Sequence, residues 1–585
     1  MSSKTLDNLV YDIASQDEEF SKPFLKKDWL YIVDSNLTGN YSVNQIEFST
    51  ISLSSNGRYC NYQEAYLSLP FVFTIENVGT SKDWTSTSID QHFADCCLAL
   101  KNSSTNIIHS IAVDFGNGNV IQPSPYLNAY LAFKLHTEMS SEDERLNGSL
   151  LHYAKDSSTS WGFSDISGGE GRGLFNNVTS VGAIPASAHA RELVNDGLMK
   201  RQSYFQRSTE SAGKDLVYGS DEVFRNKLSG NHIVNYATAK VFYCDLMIRL
   251  RDLPFFNGDV PMMRGANMKL TLTLNNNVSF NFKKNADGAM SFSNFSNVSG
   301  LTNPFMVASN YHKYTQIDAT GASVIAAPTG TAISGSITTK SLLGGSSALD
   351  NGVGSVDAEY VVKSGLAAVG QYAHTIRQCR LYVPAYTFTH SYESQYLSNS
   401  RRLISYNDLY FTTFDVKAQQ QFNVNLTNGI AYAKRLILIG FMASTANGDV
   451  SPLSSPFTCE PSTTSPFLIQ NFNAQVGGIN MYQGQMLASY EQFLAEMNGM
   501  YGINGNQVTG LCSSRISSKD YYNNYHYIVV NLDRKLKEDE GVLQSISVSG
   551  QLNSSKDMTF YCYVEYGKKI LVDVSDGSRP NPSPM

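Results

Sequence analysis

"VDFGNGNVIQPSPYLNAYLAFKLHTE" (Val113–Glu138) and "AQVGGINMYQGQMLASYEQFLAEMNG" (Ala474–Gly499) are the stretches whose comparison decides the fold. Each reads as a strand, a tight glycine turn, a second short strand and a helix. At a constant offset of 361 residues (Gly116 to Gly477), Asn119 meets Asn480 and Gln122 meets Gln483. Upstream, Ile111/Phe472, Val113/Ala474 and Phe115/Val476 keep the same apolar phase. Downstream, both copies enter an amphipathic helix. Strand–turn–helix is a common pattern that two segments can share by chance. Three identical turn positions in one phase favour two copies of one domain instead. The spacing is far too long for a solenoid or propeller repeat.

Strands surround both copies. In "EAYLSLPFVFTIE", Leu67, Leu69, Phe71, Phe73 and Ile75 alternate with Tyr66, Ser68, Val72 and Thr74, the period-2 signature of a two-faced strand. Pro70 has no N–H, which predicts an edge or a bulge there. Ile46–Leu53 reads as an earlier strand. Phe242–Leu250 and Met268–Leu274 alternate too, and between them lies a corner, "LPFFNGDVP", carrying Pro254, Phe255, Phe256 and Pro261. "AKRLILIGFM" is apolar on both faces and predicts a buried strand. "MTFYCYVEY" closes the series. Antiparallel strands with long connections, not alternating with helices, indicate packed sheets. The expected fold is all-β: two tandem eight-stranded jelly rolls with inserted helices and long loops.

Composition suggests boundaries. Residues 1–40 read as an N-terminal arm, 41–282 as the first jelly roll with a long loop at 139–231, and 371–575 as the second roll. Residues 283–370 are rich in Gly, Ser, Thr and Ala and read as a linker or tower loop. The Pro-rich end, 576–585, reads as a tail.

At 585 residues the chain exceeds one ordinary core. Apolar residues make up 42% and charged ones only 16%, with 34 Tyr and 30 Phe against 3 Trp. That mixture suits sheets and large contact surfaces. The net charge is −7 and the basic clusters are short, which argues against direct nucleic-acid binding. The eight cysteines show no C-x-x-C spacing, and free thiols are expected. The acidic N-terminus lacks the apolar core of a signal peptide, and no run approaches a membrane span. The ten histidines do not cluster. Neither a metalloprotease, a Walker nor a nucleophile-elbow motif occurs. "GGEGRG" (Gly168–Gly173) lacks the strand–helix context of a phosphate loop. Catalytic, cofactor-binding and metal sites are therefore not expected, and the chain is not expected to be an enzyme.

Three stretches carry a family resemblance. "NQIEFSTISLSSNGRYCNYQEAYLSLPFVFTI" (Asn44–Ile75), "FGNGNVIQPSPYLNAYLAFKL" (Phe115–Leu135) and "LRDLPFFNGDVPMMRGANMKLTLTL" (Leu250–Leu274) occur in the order found in the double jelly-roll major capsid proteins of double-stranded DNA viruses. The chain most resembles those of polinton-like viruses and virophages. The resemblance implies a homotrimer whose six rolls form a pseudo-hexagonal tile of an icosahedral shell. It also implies contacts with neighbouring trimers, penton protein and minor capsid proteins, and a place in the virion after assembly inside the host cell. The alternative function is a glycan-binding or tail-fibre-like β-sandwich; a polysaccharide-active enzyme is weaker, for lack of a nominated carboxylate pair.

Overall fold

The structure is a computed structural model. It describes residues 23–35, 45–54, 57–77, 96–116, 118–156, 196–205, 232–235, 239–275, 278–284, 290–297, 302–309, 359–366, 368–369, 372–373, 378–443, 453, 459–465, 467–484, 486–501, 516–533, 541–554 and 556–578.

The first half contains β1 (Phe24–Val33), β2 (Gln45–Ser49), β3 (Tyr59–Cys60), β4 (Tyr66–Asn77), β5 (Cys96–Leu100), β6 (Ile108–Phe115), β7 (Gly118–Ile121), β8 (His232–Asn235), β9 (Ala239–Arg249), β10 (Met263–Arg264) and β11 (Met268–Leu274). Next come β12 (Val278–Lys284), β13 (Met290–Asn297), β14 (Phe305–Ser309), β15 (Glu359–Leu366), β16 (Ala368–Val369), β17 (Tyr372–Ala373) and β18 (Arg380–Phe388). The second half holds β19 (Arg401–Val416), β20 (Gln421–Ile430), β21 (Ala433–Met442), β22 (Ile469–Val476), β23 (Ile479–Asn480), β24 (Tyr527–Asn531), β25 (Gln544–Leu552) and β26 (Met558–Asp573). The helices are α1 (Ile51–Ser54), α2 (Leu127–Glu138), α3 (Ser141–Leu151), α4 (Asp196–Phe205), α5 (His390–Ser398), α6 (Tyr490–Tyr501) and α7 (Ser518–Asn523).

The second half pairs as β19-β26-β21-β24 and β20-β25-β22-β23. The first half repeats this order. Strand β1 pairs with β18, β18 with β4 and β4 with β9, while β2-β11-β6-β7 forms the facing sheet. Each unit is a jelly roll of the same connectivity, and the fold is a double jelly roll.

Alternation builds each core. Leu436 and Leu438 of β21 join Phe560, Cys562 and Val564 of β26 and Phe472 of β22 in a core private to the second roll. The intervening Ile437, Ile439 and Phe441 belong to a larger cluster shared with the first roll. That division explains why β21 is apolar on both faces: each face has its own core.

Several sequence expectations need correction. The last strand of the first roll is β18, so residues from 371 do not open the second roll, which begins at β19. The stretch 283–370 is not a linker between rolls but part of an insertion between β11 and β18 of the first. Its strand β15 pairs with Phe71–Asn77 of β4, and β12 and β13 extend that sheet. Composition hid this because β15 and β18 pair with strands contributed from far away. The arm is shorter than 40 residues, since Phe24–Val33 is an edge strand. The first strand closes at Ser49: the Thr50 hydroxyl donates to the Met268 carbonyl (3.1 Å) and accepts from the Met268 N–H (2.9 Å), and the chain turns into α1. Pro70 lies within β4 at a point that is open on one side, as its missing N–H predicts. It pairs with Asp245 on one side; on the other it falls in the gap between β18, which stops at Ser68, and β15, which starts at Phe71. Within 139–231 the chain forms α3, whose Ser140 and Asp143 make a capping box, and α4. The start of the tail is packed rather than loose: the Gly577 N–H donates to the Asp573 carbonyl at 2.8 Å. Gly168–Gly173 lies outside the described residues.

Candidate functional site

The two glycine turns occupy the same place in each roll. Strands β6 and β22 stand at the repeat offset, and Gly116 (φ 48°) and Gly477 (φ 59°) begin the hairpins to β7 and β23. Both take the left-handed backbone that glycine adopts without penalty. The Gly116 N–H donates to the Asn267 carbonyl at 2.9 Å, and the Gly477 N–H donates to the Ser545 carbonyl at 2.9 Å. Asn267 directly precedes β11 and Ser545 stands at the start of β25, so the bond runs to the corresponding strand in both copies. Asn119 sits opposite Asp114 and Asn480 opposite Gln475. The Asn480 side chain accepts from Gln475 Nε2 at 2.7 Å. Gln122 and Gln483 are both exposed.

The helices that follow differ in surroundings. From Leu127 to Thr137 every residue of α2 is buried, because it is wedged between the rolls. Toward its own roll, Asn128 Nδ2 donates to Asn106 Oδ1 at 3.0 Å. Toward the second roll, Phe133 meets Tyr527 edge-on with ring centroids 5.0 Å apart, and Tyr130 meets Tyr563 at 5.8 Å. Tyr126, just before the helix, meets Tyr561 at 4.8 Å and accepts on its carbonyl from the Tyr563 hydroxyl at 2.7 Å. Such aromatic contacts add to area burial.

A charge pair is buried in this seam. Arg435 donates to Glu565 from Nε (2.5 Å) and Nη2 (2.6 Å), and Tyr130 donates its hydroxyl to the same carboxylate. Burial alone would raise the Glu565 pKa, but the guanidinium and the hydroxyl bring it below the ordinary glutamate value. Arg435 also lies over the Phe133 ring, 5.6 Å from its centroid.

A second polar cluster crosses the seam. Arg201 Nη2 donates to Asp156 Oδ1 at 2.7 Å, with both side chains fully buried. The Ser462 hydroxyl from the second roll donates to the other Asp156 oxygen. Lys101 Nζ donates to the Glu460 carbonyl at 2.8 Å, and burial lowers its pKa to about 7. His136 bridges Tyr153 (Nδ1, 3.0 Å) and the Ser462 carbonyl (Nε2, 2.8 Å), and burial lowers its pKa to about 4. A carbonyl only accepts, so Nε2 carries the proton and Nδ1 accepts from the tyrosine.

The corner motif meets the first turn here. Pro254, Phe255 and Phe256 are buried and Pro261 is half-buried. Phe255 holds φ at 73°, a conformation rare for a bulky residue and sustained only by its surroundings. Its ring packs on Phe115 (6.3 Å), Phe256 (5.2 Å) and Tyr406 of β19 (5.2 Å). Tyr406 in turn donates its hydroxyl to the Val120 carbonyl at 3.0 Å. The first turn and the corner are thus brought together against the second roll. At the second turn, Gly477, Gly478, Ile479 and Asn480 are exposed.

The sequence reading had not singled out Arg435, Glu565, Asp156 or Arg201. Arg435 directly precedes the apolar run Leu436–Met442 of β21, and Glu565 directly follows the apolar run Phe560–Val564 of β26. His526 precedes β24 and is buried beside Phe467 and Tyr521, and burial lowers its pKa to about 3. Among the described residues, no group of three or more His, Cys, Asp or Glu side chains is placed to hold a metal ion, and no helix is long and apolar enough to cross a membrane. The five cysteines whose side chains are described are buried free thiols.

No family model and no curated protein matches this chain. Among solved structures, the 3.5 Å cryo-EM structure of the Sputnik virophage is similar over 96% of this chain and 88% of its own, with 11% identity and a TM-score of 0.48. The mavirus major capsid protein is similar over 95% and 92%, with 10% identity and a TM-score of 0.41. For the Faustovirus major capsid protein the values are 97% and 98%, with 9% identity and a TM-score of 0.38.

Proposed function

We propose that this chain is the major capsid protein of a double-stranded DNA virus, built as a tile and not as a catalyst. One observation carries the reading: two jelly rolls of identical strand order stand side by side in one chain, locked by a buried helix. A rigid pair of like units is suited to repeat around an axis, and three chains would place six rolls in a closed ring. The low charge and high Tyr and Phe content suit a subunit whose surface is largely interface. Neighbouring trimers, a penton protein and minor capsid proteins would be its partners, and the virion its location. The local sequence resemblance points to the polinton-like virus and virophage group.

Light scattering on the purified chain tests this. Three copies per particle are expected, with hexagonal outlines in negative stain. A stable monomer at micromolar concentration refutes the proposal.

A further inference from the structure

An asparagine followed by glycine is open to a reaction of the chain with itself. Glycine has no side chain to block the approach, so its amide nitrogen can reach the carbonyl carbon of the asparagine side chain. Four such steps lie among the described residues: Asn147-Gly148, Asn257-Gly258, Asn428-Gly429 and Asn498-Gly499. The fold treats them differently.

Three are held. Gly148 and Gly499 lie inside α3 and α6, where the helix fixes the backbone angles and engages the N–H groups. The Gly258 N–H donates to the Phe255 carbonyl at 3.0 Å, and the Ser405 carbonyl oxygen would stand 2.5 Å from a Cβ at that position. A nitrogen bound in this way, in a backbone with no room to turn, does not reach the preceding side chain.

Asn428-Gly429 is open. It falls where β20 leaves register with β25. Thr427 pairs with Ile546 and Ile430 with Gln544, so β20 advances three residues while β25 advances two. The extra residue makes a bulge. The Gly429 N–H is directed at the Thr427 hydroxyl at 3.4 Å, the long end of the hydrogen-bonding range. Asn428 and Gly429 are both exposed, and a Cβ at Gly429 would meet nothing within 4 Å. Among the described residues β20 pairs with β25 alone, so this is a sheet edge. Asn425 Nδ2 donates to Asn428 Oδ1, which draws electron density from the carbon to be attacked and favours the oxyanion formed there.

We propose that Asn428 is a self-modifying site, converted by its own Gly429 nitrogen to aspartate and isoaspartate. Hydroxide takes the Gly429 amide proton, and the nitrogen bonds to Asn428 Cγ. The Cγ–Nδ2 bond breaks and ammonia leaves with a proton from water. Water then opens the succinimide at either carbonyl. In sum an amide and a water give a carboxylate and ammonium, with no oxidant or cofactor. Isoaspartate lengthens the main chain between Leu426 and Ile430, both buried in the core of the second roll. A modified copy therefore carries a new negative charge and a loosened β20. This chemistry goes beyond the shell reading and does not rest on it.

The test incubates the purified full-length chain at mildly alkaline pH, folded and in denaturant. Peptide mass spectrometry with isoaspartyl methyltransferase labelling follows all four steps. In the folded chain Asn428 is expected to lose its amide faster than Asn147, Asn257 and Asn498 by about tenfold, since a held N–H must first give up its hydrogen bond. In denaturant the four should react at comparable rates. Gly429 is not in the left-handed region, so Gly429→Val should keep the wild-type circular dichroism while strongly slowing the reaction. Asn428→Gln should abolish it. An Asn428 amide that stays intact in the folded chain while reacting in denaturant overturns the proposal. So do equal rates at all four steps of the folded chain, or a folded Gly429→Val that reacts as fast as the wild type.

Discussion

Arg435 and Glu565 show what a buried charge pair does in a seam. Each compensates the other's desolvation, and removing one leaves an unpaired buried charge. Glu565→Ala is expected to destabilise the chain by about 3–5 kcal/mol, read from chemical denaturation. The double variant Arg435→Met, Glu565→Leu should recover most of that loss. Buried imidazoles give the pH dependence. A histidine whose folded pKa lies below its unfolded value leaves stability intact above the unfolded value and withdraws it as pH falls toward the folded one. Burial holds His136 and His152 at about 4 and His526 at about 3, against an ordinary 6.5. From the histidines the melting temperature should therefore fall between pH 6.5 and 4, with a shallower fall in His136→Gln; buried Lys101, held at about 7 against an ordinary 10.5, withdraws stability in a separate window as pH falls from 10.5 toward 7. Glu565 acts in the same direction but lower, below the ordinary 4.5. None of these roles was legible in sequence, because a histidine or an arginine carries no mark of what it will be buried against.

At the scale of elements, the glycine turns were legible and the boundaries were not. Gly477 needs its residue type for backbone reasons alone: an added Cβ would meet nothing closer than 3.6 Å. Gly477→Ala should thus cost only the left-handed penalty, about 1–2 kcal/mol, and Gly477→Asn less, by thermal denaturation. Strand β4 was legible from alternation. The helix α3 carries a local signal of its start, the Ser140–Asp143 capping box. Strand β18 could not have been assigned to the first roll from its sequence. Its partners, β1 and β4, lie more than three hundred residues upstream, and register is set by pairing rather than by composition.

For the whole molecule, the shared cluster predicts dependence between rolls. Among the described residues, Ile437, Ile439, Phe441, Tyr561 and Tyr563 on the outer face of the second roll belong to the larger cluster, which first-roll residues such as Tyr130 and Phe133 complete. A fragment starting at Ser400 is expected to bind a hydrophobic dye strongly and to aggregate, while the full chain does neither; a fragment as soluble and as dye-free as the full chain would refute this. By itself the sequence determined that there are two sheet-built units of one kind, because period-2 alternation and a repeated turn are local properties that a strand displays wherever it goes. Only the tertiary structure decided where one roll ends, which helix becomes the wedge and which charges meet inside the seam. Those depend on contacts between distant segments, and the free energy of burying a face belongs to both partners and is written in neither alone.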